Sequence, residues 1–92
     1  MIDVKKTNGP TLVGGAFDIV FGEMEKVENA IVYLECPGLD NTTFDTKTSV
    51  SGQTVTVTIM KCTTTAVSPT AWAVATTGNV AGQDVVVIAT GI

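Results

Sequence analysis

Apolar and polar residues alternate through much of this chain, and the clearest run is Thr54 to Ile59. Val55, Val57 and Ile59 fall on one parity and Thr54, Thr56 and Thr58 on the other, the pattern of a half-buried β-strand. Ser51-Gly52 supplies a tight turn just before it. Past Ile59 the apolar parity changes, with Met60 and Cys62 apolar and Lys61 polar. The change predicts a β-bulge, a strand crossing to a second sheet, or an exposed hairpin tip. "TLVGGAFDIVF" places Phe17, Ile19 and Phe21 on one face and Asp18 and Val20 on the other, with a bend or bulge at Gly14-Gly15.

Two segments break the alternation by being apolar on both parities. "AIVYLEC", Ala30 to Cys36, and "DVVVIATG", Asp84 to Gly91, read as strands covered on both faces. One face meets the core; the other meets a second layer or a partner subunit. "TTFDTKTSV" is polar on one side and reads as an edge strand, with Asp45 and Lys47 discouraging unwanted pairing. "AWAVATT" is a strand carrying Trp72, and Ile2 to Val4 is a shorter candidate. "TNGP", "PGLDN", "TTTAVSPT" with Pro69, and "GNVAGQ" are turns or loops. "GEMEKVEN", Gly22 to Asn29, is too short for a stable helix and reads as a polar connection anchored by Met24 and Val27.

The elements predict an all-β fold, a small β-sandwich or barrel of about six to eight mostly antiparallel strands. Residues 1–92 form one domain, with 1–9 read as an extended N-terminal arm onto a neighbour. The composition agrees: 16 Thr and 14 Val are β-branched and favour pleated surfaces.

Composition also bears on partners. The chain is 45% hydrophobic and 15% charged, against about 25% charged in an average soluble domain. A short chain with that apolar excess is expected to bury surface against other chains. No apolar run reaches the length of a transmembrane helix, and "MIDVKKTNGP" lacks the basic-then-apolar pattern of a secretory leader, so no membrane association is expected. The net charge is -4, and the five basic residues are all Lys. Phosphate neutralisation is poorly served by such a chain, so nucleic acid is not an expected partner.

Catalytic constellations are sparse. There is no His, the commonest general base and metal ligand, so no ordinary triad or zinc site is expected. Glu23, Glu25 and Glu28 read as a solvated acidic loop, because nothing sets paired carboxylates across a cleft. The glycines form neither GxGxxG nor a P-loop pattern. Cys36 and Cys62 are expected to be buried thiols that could pair only if their strands are neighbours. Asn41-Thr42-Thr43 is a glycosylation sequon, which matters only in a secretory pathway. No enzyme activity, cofactor or metal is expected. The candidate interface residues are Ile31, Tyr33, Val86 and Ile88 on the two-sided strands, together with Trp72.

Two resemblances sharpen the expectation. "IMKC…AVSP…GNVAGQDVVVI" resembles the end of a biotinyl or lipoyl carrier domain, which implies a modified lysine at Lys61; that family's lysine sits at an exposed hairpin tip after an acidic residue, whereas Lys61 follows six strand-like residues and has no acidic residue just before it. Over most of its length the chain is similar in texture and strand order to small β-sandwich virion proteins of tailed viruses. That likeness rests on the Phe17/Ile19/Phe21 strand, "VENAIVYLE", "VSGQTVTVT", the single Trp and "VVVIATG". It implies a non-enzymatic virion structural protein, a capsid decoration (cement) protein or tail module. Such a protein is made in a host cytoplasm, self-associates as a homo-oligomer such as a trimer, and binds a major capsid or tail protein. The alternative in the same family is a carbohydrate- or receptor-binding tail-fibre module using Trp72 and the loop Pro37–Asn41.

Overall fold

The structure, a computed structural model, describes residues 1–35, 42–63 and 72–92. Among them are seven strands: β1 (Ile2–Asn8), β2 (Ala16–Val20), β3 (Val27–Glu35), β4 (Thr42–Ser51), β5 (Thr54–Thr63), β6 (Ala73–Val74) and β7 (Asp84–Gly91). A short 3-10 turn at Thr77–Val80 precedes β7. Every pairing is antiparallel, and the strands form two sheets, so the all-β, sandwich-like expectation holds. Cys36, the Pro37–Asn41 loop, Asn41 of the sequon and the Pro69 loop lie outside the described residues.

Sheet A has the order β1-β7-β3, and sheet B the order β2-β5-β4, with β6 also on β5. Each central strand buries one parity completely: Val55, Val57 and Ile59 on β5, and Val85, Val87 and Ala89 on β7. These six residues belong to one core cluster with Ile19, Phe21, Met24, Val27, Ala75 and Val80. Met24 and Val27 are thus the anchors the polar connection was expected to have. The layers meet along β3 and β4, where the Thr48 hydroxyl donates to the Ala30 carbonyl at 3.4 Å.

The β4–β5 hairpin turns at Gly52-Gln53, between the paired Ser51 and Thr54. Gly52 has φ 58, the left-handed conformation that primed hairpin turns require. From Ser51–Thr54 to Thr42–Thr63 the ladder keeps one register. The bulge or crossover expected at Met60–Lys61 is therefore absent, and so is an exposed tip: Lys61 pairs with Phe44 of β4 and with Ala73 of β6. What changes there is the partner on the other edge of β5. Strand β2 pairs up to Thr58, and β6 takes over at Met60. Ile59 bridges the two, donating to the Gly15 carbonyl and accepting from the Ala75 N–H, each at 2.8 Å.

Burial does change parity along β5, from Ile59 to Cys62, without a bulge in the ladder with β4; a bulge lies elsewhere. Val27 pairs with Gly91 and Asn29 with Thr90, so a β-bulge sits between Val27 and Asn29. The extra residue lets Val27 face the core and then turns Ala30, Val32 and Leu34 inward instead of Ile31 and Tyr33. A second correction concerns the N-terminus. Residues 1–9 are no arm: Ile2–Asn8 pairs along its whole length with β7. The physical reason is visible in its alternation, Ile2/Val4 against Asp3/Lys5, which suits an edge strand rather than a free extension.

Gly14-Gly15 forms a two-residue turn, with Val13 and Ala16 exchanging backbone hydrogen bonds at 2.9 and 3.1 Å. Gly15 has φ 81, and a Cβ there would sit 2.7 Å from Val74 Cβ and 3.2 Å from the Ile59 carbonyl oxygen. Gly14 has the same sign of φ but open space around it. Urea unfolding should therefore separate two otherwise similar variants. Gly14→Ala is expected to cost about 1 kcal/mol for backbone strain alone, and Gly15→Ala about 2–4 kcal/mol because strain adds to overpacking.

Candidate functional site

The three strands of sheet A show solvent an outer face organised by register. Val4, Ile88 and Ile31 lie side by side across β1, β7 and β3. The next row is Lys6, Val86 and Tyr33; on the other side it is Ile2, Thr90 and Asn29. Ile2 is 71% exposed, Ile31 67%, Tyr33 60% and Val4 54%. Val86 and Ile88, in the central strand, are half-buried by these neighbours. Their inner-face neighbours already fill the core, so this apolar face is surplus to the fold of the single chain.

A polar cluster closes one end of the face. Lys6 Nζ lies 3.5 Å from Glu35 Oε2 and 3.5 Å from Asp84 Oδ2, joining all three strands. The Asn8 side-chain amide donates to Asp84 Oδ1 at 2.8 Å. The Glu35 and Asp84 charges hold the Lys6 pKa above its ordinary value. The Asn8 hydrogen bond is the main cause that holds Asp84 below its own; desolvation opposes it, and the Lys6 charge and hydrogen bond add smaller lowering effects. The pH consequence has two limits. The Asp84 contribution is complete above the ordinary Asp range and is lost as pH falls through its lowered folded value. The Lys6 contribution is complete below the ordinary Lys range and is lost as pH rises through its raised folded value. Lys6 and Asp84 are therefore both charged across neutral pH.

Four of the five candidate interface residues, Ile31, Tyr33, Val86 and Ile88, are brought together on this face. Trp72 is not: it stands on the outer side of sheet B, 50% exposed, beside Met60, Asp45 and Lys47. The sequence reading missed Ile2 and Val4, which complete the apolar grid. Their two-residue spacing was the available signal, but it was assigned to an arm. It also missed the neighbours of Trp72, which only the β4–β5–β6 register supplies.

The edges of the sheets contrast with that face. On β1 the core-side parity is Asp3, Lys5 and Thr7, and Lys5 Nζ reaches back to 5.7 Å from the centroid of the buried Phe21 ring. A charged residue pointing inward at an edge opposes pairing with another strand. On β4, Asp45 and Lys47 are exposed as expected. A hollow of about 540 Å³ lies between Thr7, Pro10 and the Ala16–Asp18 segment. Among the described residues of its lining Asp18 is the only titratable side chain, and it accepts the Thr56 hydroxyl at 2.7 Å. No paired acid and base meet there. Among the described residues no group of three or more Cys, Asp and Glu side chains is placed to hold a metal ion, and no helix is long and apolar enough to cross a membrane. Cys62 is buried.

No family model, curated protein or solved structure matches the chain.

The polar cluster gives a direct test of the electrostatics. Asn8→Ala removes the leading cause of the lowered Asp84 pKa, so a carboxylate NMR titration should show Asp84 moving up towards its ordinary value. An unmoved Asp84 would assign its shift to Lys6 alone.

Proposed function

We propose that this chain is a non-enzymatic structural protein that works by protein–protein association, and that its specific role is that of a virion decoration (cement) protein. Its partners would be further copies of itself and a major capsid or tail protein, met in the virion after synthesis in a host cytoplasm. One observation supports association above all: the exposed apolar grid of Ile2, Val4, Ile31 and Tyr33 around Val86 and Ile88. The virion assignment rests on the likeness in texture and strand order to small β-sandwich virion proteins.

The size of the face favours a particular kind of association. Three strands about 4.8 Å apart and three rows about 7 Å apart give a plan area of about 300 Å². A stable pairwise interface takes about 800 Å² per partner. A face this small makes a weak contact by itself and becomes useful when many copies bind an extended lattice together, as decoration proteins do. The inward Lys5 and the charged β4 edge oppose the competing outcome, strand-to-strand polymerisation.

Light scattering coupled to size exclusion, run over a concentration series, tests the association directly. Reversible self-association is expected in the unmodified protein, and Ile31→Asp should reduce it about tenfold or more by placing a charge in the middle row of the grid, beside Ile88. A protein that stays monomeric at millimolar concentration, with Ile31→Asp indistinguishable from it, would remove the support for self-association. Lys5→Val should act in the opposite sense, giving heterogeneous large species that bind thioflavin; a uniform monomer would show that Lys5 does not guard the edge.

A further inference from the structure

We propose that the outer face of sheet B carries a separate site for a neutral saccharide, built from Trp72, Met60, Asp45 and Lys47. Among the described residues these four line a hollow of about 260 Å³. Their placement follows from register: Asp45 pairs with Met60 across β4 and β5, Met60 pairs with Val74 across β5 and β6, and Trp72 lies two residues before Val74 on the same side. Asp45 and Lys47 are two apart on β4, so both point to that side, away from the core parity of Val55, Val57 and Ile59.

Trp72 is half exposed, which is unusual for so large an apolar side chain. A half-exposed indole that shares the lining of this hollow with Met60 offers apolar surface to a ligand. The flanking polar groups are of both signs and remain available. Asp45 uses Oδ1 to accept the Thr46 N–H at 2.9 Å, leaving its second oxygen unengaged by that bond. The salt bridges of the described residues all involve Lys6, so Lys47 is not spent on Asp45.

That combination selects among ligand classes. A polyol ring presents a C–H face to an aromatic platform and hydroxyls at its edge, which can donate to a carboxylate and accept from an ammonium. A quaternary ammonium would suit Trp72 and Asp45, but the Lys47 charge beside them repels it, and only one aromatic is present. A nucleic acid base could stack on Trp72, yet the chain has a net charge of -4 and no Arg to hold the phosphates. The site is on the opposite side of the sandwich from the Ile31/Tyr33 face, so it does not depend on the association proposed above.

The test is a 15N NMR titration of the full chain with neutral oligosaccharides of glucose, galactose and N-acetylglucosamine, after a glycan array has chosen the best of them. Saturable shifts confined to residues 45–47, 60 and 72–74 are expected. Trp72→Ala should weaken binding about tenfold or more, while Trp72→Phe keeps most of it, since a ring remains to stack. Asp45→Asn should lose severalfold, and Ile31→Asp should change nothing, which separates this site from the association face. The absence of localised shifts with all three sugar series at tens of millimolar would overturn the proposal. So would tetramethylammonium producing the stronger shifts at the same residues.

Discussion

Two Val-rich central strands, β5 and β7, each bury one face in a common core, and the remaining elements are arranged around that contact. Without both, neither sheet has a second layer, and a chain of this length has little other apolar area to bury. The strands are alike inside and unlike outside. The outer positions of β5 begin with Thr54, Thr56 and Thr58, whereas those of β7 include Val86 and Ile88. Sheet B is therefore polar towards solvent over much of its surface, with the Thr56–Asp18 hydrogen bond as one example. Sheet A carries an apolar patch on its outer side as well as the core on its inner side. The functional asymmetry of the molecule is set by which residues fill the outward positions of two otherwise equivalent strands.

The alternation of β5, the edge character of β4, the Gly14-Gly15 turn and the Met24 and Val27 anchors could all be read from the sequence, because each depends on neighbours within a few residues. The orientation of β3 could not. Ala30 to Leu34 is apolar on both parities, so periodicity does not say whether Ile31 or Val32 faces the core. The bulge between Val27 and Asn29 decides it, and that bulge is a property of pairing with β7, far away in the chain. The same non-local origin hid the structure around Met60. A change of apolar parity looked like a bulge, whereas the ladder with β4 is continuous and the other edge of β5 simply exchanges β2 for β6.

Among the candidate site residues, the four on β3 and β7 were accessible because a doubly apolar strand in a small domain must cover its second face somehow. Ile2 and Val4 required knowing that β1 pairs beside β7. Edge strands and open faces carry opposite instructions in this molecule. Lys5 turns a charge inward where a new strand would dock, and Asp45 and Lys47 do the same duty on β4, while the broad side of sheet A is left without any charge until Lys6. Association by face is permitted and association by edge is opposed, a distinction that matters for a chain whose composition already invites self-contact.

The chain contains one Tyr and one Trp, and the fold assigns them to opposite outer surfaces, Tyr33 to sheet A and Trp72 to sheet B. The two layers thus carry chemically distinct chromophores, each solvent-exposed and each alone of its kind. Tyrosine absorbance senses what covers one side and indole emission what covers the other, so unlabelled protein can distinguish a partner on the β1–β7–β3 face from a ligand over Met60 in a single cuvette.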